Sequence, residues 1–168
     1  MTLEDVNGLS ADAFVEHFGG IAEHSPWVAE TAMTMRPYAS VGEMADAFGS
    51  AIRNAPDSRQ RDLLNAHPDL AGRAARAGGL TDASTSEQAS AGLDQLTEKE
   101  FEAFHRLNED YKAKFGFPFI LAVKGATKAQ ILNSYAERVE KTRKGEFQMA
   151  IEQVAKIVRF RLEDAITP

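Results

Sequence analysis

One histidine stands in a turn that could present its imidazole to a substrate. Imidazole changes charge near neutral pH without a special environment, so histidines are the first candidates for acid/base chemistry. His67 precedes Pro68, which disfavours helical backbone at the residue before it, so a helix is predicted to end there. A histidine at a helix C-terminus also complements the helix dipole, and a structural role therefore stays open. His17 and His105 lie inside predicted amphipathic helices and His24 just before one, where structural roles are expected.

A hydroxyl and a carboxylate stand three residues apart at Ser84 and Glu87. This spacing predicts a capping box at the start of a helix, in which each side chain accepts a hydrogen bond from the other residue's backbone N–H. The same groups could instead bind a polar substrate, since a helix N-terminus also presents backbone N–H groups to a ligand. On spacing alone, both interpretations stay open.

Several other kinds of site have no support in the sequence. The chain has no cysteine, which excludes disulfides, thiolate chemistry and metal sites with cysteine ligands. It also has no His-x-x-x-His pair, no Gly-x-Ser-x-Gly elbow, no P-loop and no dinucleotide-binding fingerprint. We therefore expect neither a metal ion nor a nucleotide cofactor.

The size and charge of the chain limit its class. Its 168 residues are the usual length of one domain, and its formal charge of −6 lacks the basic excess that nucleic-acid binding requires. The acidic start at Met1–Asp5 does not resemble a signal peptide, and no run of 18 apolar residues occurs. We expect a soluble intracellular protein that binds neither nucleic acid nor membrane.

Helices are the elements that must position the candidate residues. The clearest predicted helix begins at Thr97, which has capping-box spacing to Glu100, and ends at Gly116. Its apolar residues step by three or four: Phe101, Phe104, Leu107, Tyr111 and Phe115. The same kinds of signal predict further helices that begin at Ser10, Ser25, Ser40, Asp57 and Ser84.

One segment differs from this helical pattern. Phe117–Val123 is a continuous apolar run in which Pro118 disfavours helix, so we predict a buried extended segment. From Thr127 to Ile166 the pattern is helical again, with a kink or break predicted at Gly145. The sequence therefore predicts an all-α fold: one domain over residues 1–168, built as a multi-helix bundle with a short extended segment near 117–123.

Five segments, taken together and in order, resemble one known family. They are Phe18-Gly19-Gly20, Ser25-Pro26-Trp27-Val28, His67-Pro68-Asp69-Leu70-Ala71-Gly72, the stretch from Ser84-x-x-Glu87-Gln88 to Ala91-Gly92-Leu93, and the stretch from Leu107-Asn108 through Tyr111 to Lys114-Phe115-Gly116-Phe117-Pro118-Phe119-Ile120. The set resembles the decarboxylases of 2-oxo-4-hydroxy-4-carboxy-5-ureidoimidazoline, or OHCU, an intermediate of urate breakdown. The resemblance runs in the same order over nearly the whole chain.

The resemblance implies an all-helical enzyme that converts OHCU to (S)-allantoin and carbon dioxide without a cofactor. It implies that His67 is the catalytic acid/base, and an imidazole pKa of about 6.5 suits proton exchange near neutral pH. Glu87 would be the second catalytic residue, holding the substrate hydroxyl or ring N–H groups, and it could also orient His67. The resemblance assigns substrate binding to Pro68, Ser84, Gln88, Phe119, Ile120, Leu121, Ala122, Val123 and Arg161, the last as a clamp for the substrate carboxylate.

The resemblance also bears on assembly and location. Relatives often form dimers, so the chain is expected to be able to form a homodimer. It ends in Ile166-Thr167-Pro168 rather than in a peroxisomal signal of the Ser-Lys-Leu type, which favours the cytoplasm. Two other functions stay open: a hydrolase that uses the same histidine and glutamate to activate water on a ureide ring, and a helical interaction module without catalysis.

Overall fold

The computed structural model describes residues 1–167, apart from the side chains of Arg73 and Ala74. These residues form α-helices joined by turns, and the predicted all-α class is confirmed. Contacts within the chain divide it into two compact units, one of Met1–Ala66 with the chain from Ile151 onward, the other of His67–Ala150. Pro168 lies outside the described residues, and the single domain over 1–168 stays a prediction.

Polar residues fix where helices of the first unit begin. The hydroxyls of Ser10 and Ser40 accept hydrogen bonds of 3.2 and 3.0 Å from the backbone N–H three residues further on, as predicted. The start predicted at Ser25 is shifted by one residue, because Pro26 is the N-cap. The helices are α1 (Leu3–Gly8), α2 (Ala11–Phe18), α3 (Trp27–Ala32), α4 (Val41–Arg53) and α5 (Asp57–Ala66).

An aromatic cluster joins α2 to α4 in the core of the first unit. Phe14 and Phe18, one helical turn apart, have ring centroids 4.9 Å from each other and 6.1 and 6.4 Å from that of Phe48. All three side chains are buried. Burying each one contributes about 1.5–3 kcal/mol, so this cluster is a main source of the unit's stability.

The second unit contains the helix that the sequence predicts most clearly. Thr97 and Glu100 form the predicted capping box, and Gly116 ends the helix in a left-handed conformation with φ of 83°. A residue with a Cβ is strained in that conformation, which explains the glycine. The helices are α6 (Arg73–Arg76), α7 (Asp82–Ser90), α8 (Glu98–Phe115) and α9 (Lys128–Val139), with α10 (Arg143–Ala165) beginning here and ending in the first unit.

The segment after α8 is extended, as predicted. Phe117–Val123 contains neither helix nor strand, and all of its residues except Leu121 are buried. Pro118 prevents α8 from continuing, and the apolar side chains around it favour burial. The segment is therefore an irregular strip of backbone held inside the second unit.

The predicted capping box at Ser84 and Glu87 is wrong. Helix α7 begins three residues earlier, with Thr81 as its N-cap, and the Thr81 hydroxyl accepts a 3.3 Å hydrogen bond from the Ser84 N–H. Thr81 and Ser84 carry equivalent hydroxyls one turn apart, and the helix uses the first of them. Ser84 is thus the third residue of α7, Glu87 lies in the second turn, and neither caps the helix.

The break predicted at Gly145 is also wrong. The chain leaves the helix at Glu140–Thr142, between α9 and α10, and Gly145 lies in the first turn of α10. The Thr142 hydroxyl accepts a 3.1 Å hydrogen bond from the Gly145 N–H, so Thr142 starts the helix and the glycine is one of its early residues. Among the described residues, no helix combines the length and the apolar character needed to cross a membrane.

Candidate active site

His67 lies where the second unit begins, immediately after α5. Its side chain is half-buried, as are those of Pro68 and Asp69. The turn that follows is tight: Ala71 has a φ of 52°, and a Cβ on Gly72 would lie 2.8 Å from that of Asp69. Only glycine fits at position 72 without a shift, so the sequence from His67 to Gly72 specifies this turn.

The side chain of Gln88 fastens this turn to α7. Its Oε1 accepts a 2.8 Å hydrogen bond from the Ala71 N–H, and its Nε2 donates to the Asp69 carbonyl at 3.3 Å. The residue is buried, so these bonds are protected from water. Gln88 therefore holds the turn in place against α7, and His67 is part of this turn.

Ser84 and Glu87 lie on the same face of α7 as Gln88. Residues three and four apart are neighbours on a helix surface, and Ser84 has that spacing to Glu87 and to Gln88. Ser84 is 2% exposed and Glu87 is half-buried. Because Gln88 contacts the turn, this face of α7 is the one that faces the turn. The fold thus joins Gln88 to the segment of His67, and Ser84 and Glu87 lie on the same helix as Gln88.

Helix α8 holds the turn from another direction. Asn108 donates from its Nδ2 to the Leu70 carbonyl at 2.8 Å, and the Lys112 ammonium lies 2.9 Å from the Asp69 carboxylate. The hydrogen bond that Lys112 donates to Asp69 is the main reason that the pKa of Lys112 is raised above its usual value. The turn is therefore fixed by α7 and α8 through its own backbone and through Asp69.

The predicted substrate-contacting segment, Phe119–Val123, is held by one arginine. Arg138 of α9 donates from Nη1 to the Ile120 carbonyl at 2.6 Å, and its guanidinium lies 4.4 Å from the centroid of the Phe119 ring. The Nε of the same guanidinium donates to Glu146 of α10 at 2.9 Å. Both charged side chains are buried, so the pair neutralises charge inside the unit while it fixes the segment.

Two buried tyrosines extend this polar network. Tyr111 donates to the Glu146 carboxylate, and Tyr135 donates to Oδ1 of Asn108. Burial is the main reason that the pKa of both phenols is raised, with the Glu146 hydrogen bond adding to it at Tyr111 and the Asp69 charge adding to it at Tyr135. Both hydroxyls therefore stay protonated at neutral pH and act as donors.

This network is not among the features predicted from the sequence, although α8 carries a signal for it. Phe104, Asn108, Tyr111 and Phe115 are the buried residues of that helix. An asparagine among aromatic residues on an apolar face must find hydrogen-bond partners, because an unpaired buried amide costs free energy. The predicted apolar stripe included Leu107, which is half-buried, in place of Asn108. The sequence thus shows where the asparagine lies on the helix, but it does not show which groups are its hydrogen-bond partners.

Arg161, the predicted carboxylate clamp, lies in the first unit and is paired there. It donates to the Ile21 carbonyl at 3.0 Å and to the Glu23 carboxylate at 2.8 Å. The Arg161 and Glu23 side chains are only 6% and 2% exposed. Glu23 also has a φ of 45°, which is uncommon for a residue with a side chain and shows that the local fold holds this glutamate in place. A substrate carboxylate at Arg161 would have to share the guanidinium with Glu23.

The described residues contain no group of three or more histidine, aspartate or glutamate side chains placed to hold a metal ion. A cleft of about 210 Å³ in the second unit is lined by Gln88, Thr85, Arg76, Asp94 and apolar residues. The Arg76 guanidinium lies over the Phe101 ring at 4.0 Å and pairs with Glu98 at 2.6 Å. His67 and Glu87 do not line this cleft.

Comparison with known proteins identifies the family. A model of the OHCU decarboxylase family matches residues 7–163. A 2-oxo-4-hydroxy-4-carboxy-5-ureidoimidazoline decarboxylase of Haloferax volcanii is 45% identical to this chain over 98% of this chain and 95% of its own length.

Two solved structures are similar over almost the whole chain. One, described as (S)-allantoin synthase, has a TM-score of 0.79 and 32% identity and covers 99% of this chain and 54% of its own, so this chain spans about half its length. The other, an OHCU decarboxylase solved in the presence of (S)-allantoin, has a TM-score of 0.72 and 22% identity over 92% of this chain and 99% of its own, and it shares the fold. The match of the family model over most of the sequence, together with the identity to the Haloferax relative, shows that this chain belongs to the OHCU decarboxylase family.

Proposed function

We propose that this chain is a carboxy-lyase that converts OHCU to (S)-allantoin and carbon dioxide. Membership of the family and the names of the similar proteins support this activity. The observation that carries the proposal is the fastening of the His67 turn by Gln88 to α7, the helix that also carries Glu87.

The chemistry of the substrate explains why acid/base groups can suffice. When the carboxylate leaves as carbon dioxide, the electron pair of the broken C–C bond moves toward the adjacent carbon–nitrogen double bond of the substrate, and the nitrogen of that bond takes up a proton. The hydroxyl on the carbon that lost the carboxylate then gives up its proton and becomes a carbonyl. The neighbouring carbon, which bears the ureido group, gains a proton and becomes the stereocentre of allantoin. The electron sink is thus within the substrate. The proton lost from the hydroxyl and the protons gained at nitrogen and carbon remain to be transferred, and the last of these must reach one face of the ring.

His67 and Glu87 are the proposed catalytic residues. His67 takes the hydroxyl proton or delivers the proton that sets the configuration of the product, and both roles require the half-buried imidazole to reach the ring. Glu87 accepts hydrogen bonds from the substrate hydroxyl or ring N–H groups. Its place in the second turn of α7 supports this role, because Thr81 already caps the helix.

The remaining proposed contacts form the walls of the site. Pro68 and Ser84 lie on the turn and on the α7 face described above, and Gln88 contributes to the wall through the carboxamide that holds the turn. The wall that would form hydrogen bonds with the ring and ureido amides consists of Phe119, Ile120, Leu121, Ala122 and Val123. Within this segment, the Ile120 carbonyl accepts a hydrogen bond from Arg138 and the Val123 carbonyl accepts one from the Ala126 N–H. Arg161 is proposed to bind the carboxylate while paired with Glu23.

The activity is tested by adding the protein to OHCU freshly generated from urate and following the circular dichroism of the product. We expect fast formation of one enantiomer of allantoin with one equivalent of carbon dioxide. Slow formation of racemic product at the uncatalysed rate would contradict the proposal and leave the interaction module. Ring opening without release of carbon dioxide would contradict it in favour of the hydrolase.

We further propose that the chain acts on its small-molecule substrate as a homodimer. We also propose that it is located in the cytoplasm. The charge of −6 and the mean hydropathy of −0.33 support a water-soluble protein. Leu132 of α9 and Met149 of α10, both in the second unit, are large apolar side chains that are 39% and 42% exposed, and a dimer interface would cover such residues. Sedimentation equilibrium is expected to give twice the chain mass of 18.4 kDa, and a value equal to the chain mass would exclude the dimer.

A further inference from the structure

We infer that Tyr135 is a positioning residue that couples the His67 turn to the Phe119–Val123 segment, so that the two walls of the proposed site keep a fixed spacing. The inference rests on the proposed function, because it assigns a catalytic consequence to this spacing. It concerns a residue that does not itself belong to the proposed set of substrate contacts.

The first half of the coupling is a chain of hydrogen bonds. The Tyr135 hydroxyl donates to Oδ1 of Asn108, and Nδ2 of the same amide donates to the Leu70 carbonyl at 2.8 Å. One amide thus accepts from the tyrosine and donates to the turn, which uses both ends of the asparagine. Asn108 and Tyr135 are each 1% exposed, so water does not compete for these bonds.

The second half of the coupling is a ring stack. The Tyr135 ring lies on the Phe119 ring with centroids 3.6 Å apart and an interplanar angle of 19°. Phe119 begins the proposed substrate wall, and its ring also lies under the Arg138 guanidinium. One side chain on α9 therefore contacts the extended segment through its ring and reaches the turn through its hydroxyl.

The coupling matters because proton transfer depends steeply on distance. His67 stands three residues before Leu70 in the same turn, and Phe119 is the first residue of the opposite wall. A displacement of the reacting groups by about 1 Å can slow an enzyme by up to ~100-fold. Because the Tyr135 phenol links both backbone segments, it can affect the rate of the reaction without contacting the substrate.

The test uses two variants that each remove one buried phenolic hydroxyl. Tyr135→Phe keeps the ring and its stack but removes the hydrogen bond to Asn108. Tyr38→Phe is the matched control, since the Tyr38 hydroxyl is also buried and donates to the Ala32 carbonyl at 2.7 Å in the first unit. The two variants should lose similar thermal stability, so a difference in activity between them reports on position.

We expect Tyr135→Phe to lower kcat for OHCU about tenfold with a smaller change in KM, and Tyr38→Phe to leave both near the original values. Without substrate, hydrogen exchange should become faster in peptides covering 67–72 and 119–123 in Tyr135→Phe, and should stay unchanged there in Tyr38→Phe. If Tyr135→Phe fails to fold, Asn108→Ser breaks the same link from α8 and should give the same pattern.

Two results for Tyr135→Phe would overturn the inference: unchanged hydrogen exchange in both segments, or faster exchange with kcat equal to that of the unmodified chain. An equal fall in kcat for Tyr38→Phe would also overturn it, because a general loss of stability would then explain the effect. If the unmodified chain does not act on OHCU, the proposed function fails by itself. Hydrogen exchange, measured without substrate, then still decides whether Tyr135 couples the two segments.

Discussion

Replacing His67 with alanine is expected to lower kcat for OHCU by about 100- to 10,000-fold, the usual contribution of a general acid or base. The reaction removes the hydroxyl proton and adds a proton to the neighbouring carbon, and the variant has no imidazole at position 67 to perform either transfer. The turn should survive, because Gln88 and Asn108 hold it through its backbone and Lys112 holds it through Asp69. Circular dichroism of the product measures the rate, and thermal unfolding checks the fold.

An exposed histidine provides the control for this experiment. His17 lies on α2 in the first unit, where a structural role is predicted, and its side chain is exposed. His17→Ala should therefore keep full activity. If His67→Ala is as active as His17→Ala, the assignment of the acid/base residue is wrong, even if the unmodified chain decarboxylates OHCU. If His67→Ala unfolds at a much lower temperature, the lost activity reflects a structural histidine.

The bounds of a helix could be predicted from local sequence where only one residue could mark its start and only one could mark its end. Helix α8 has one hydroxyl at its start and one glycine at its end, and its predicted bounds are those observed. At α7 the sequence offers two hydroxyls one turn apart, Thr81 and Ser84, and local spacing does not distinguish them. At Gly145 the low helix propensity of glycine suggested a break, but the actual helix start depends on the Thr142 hydroxyl.

The site was only partly predictable, because its supports join residues far apart in sequence. His67, Glu87 and the Phe119–Val123 segment could be named from residue types and from the resemblance. The hydrogen bond from Asn108 to Leu70 spans 38 residues, however, and the one from Arg161 to Glu23 spans 138. Periodicity reports which face of a helix is buried, but it does not report which polar group a buried side chain meets.

The pairing of Arg161 with Glu23 lowers the net positive charge that a substrate carboxylate would meet at Arg161 in the proposed site. A lone guanidinium would attract the substrate carboxylate strongly, whereas the pair of Arg161 and Glu23 as a whole carries little net charge. Loss of carbon dioxide is favoured when the carboxylate is not held too tightly, since its charge must leave with the electron pair that moves into the ring. A paired arginine can orient the carboxylate by hydrogen bonds while stabilising its ground state less than an unpaired arginine would.

Replacing Glu87 with glutamine is expected to lower kcat/KM about 10- to 100-fold, which corresponds to the loss of one hydrogen bond to a charged group. Glutamine keeps the size of the side chain but replaces the carboxylate with a neutral amide. The free energy of unfolding should change by less than about 0.5 kcal/mol, because Glu87 lies in the second turn of α7 and does not cap it.

The helix cap itself supplies the comparison for Glu87. Thr81→Ala removes the hydroxyl that accepts from the Ser84 N–H and should lower the free energy of unfolding by about 1 kcal/mol. Denaturant unfolding of the two variants therefore separates the roles, since a capping residue loses stability and a substrate-binding residue loses activity. If Glu87→Gln is destabilised as much as Thr81→Ala and stays fully active, Glu87 supports the helix. The carboxylate that holds the substrate must then be sought elsewhere in the chain.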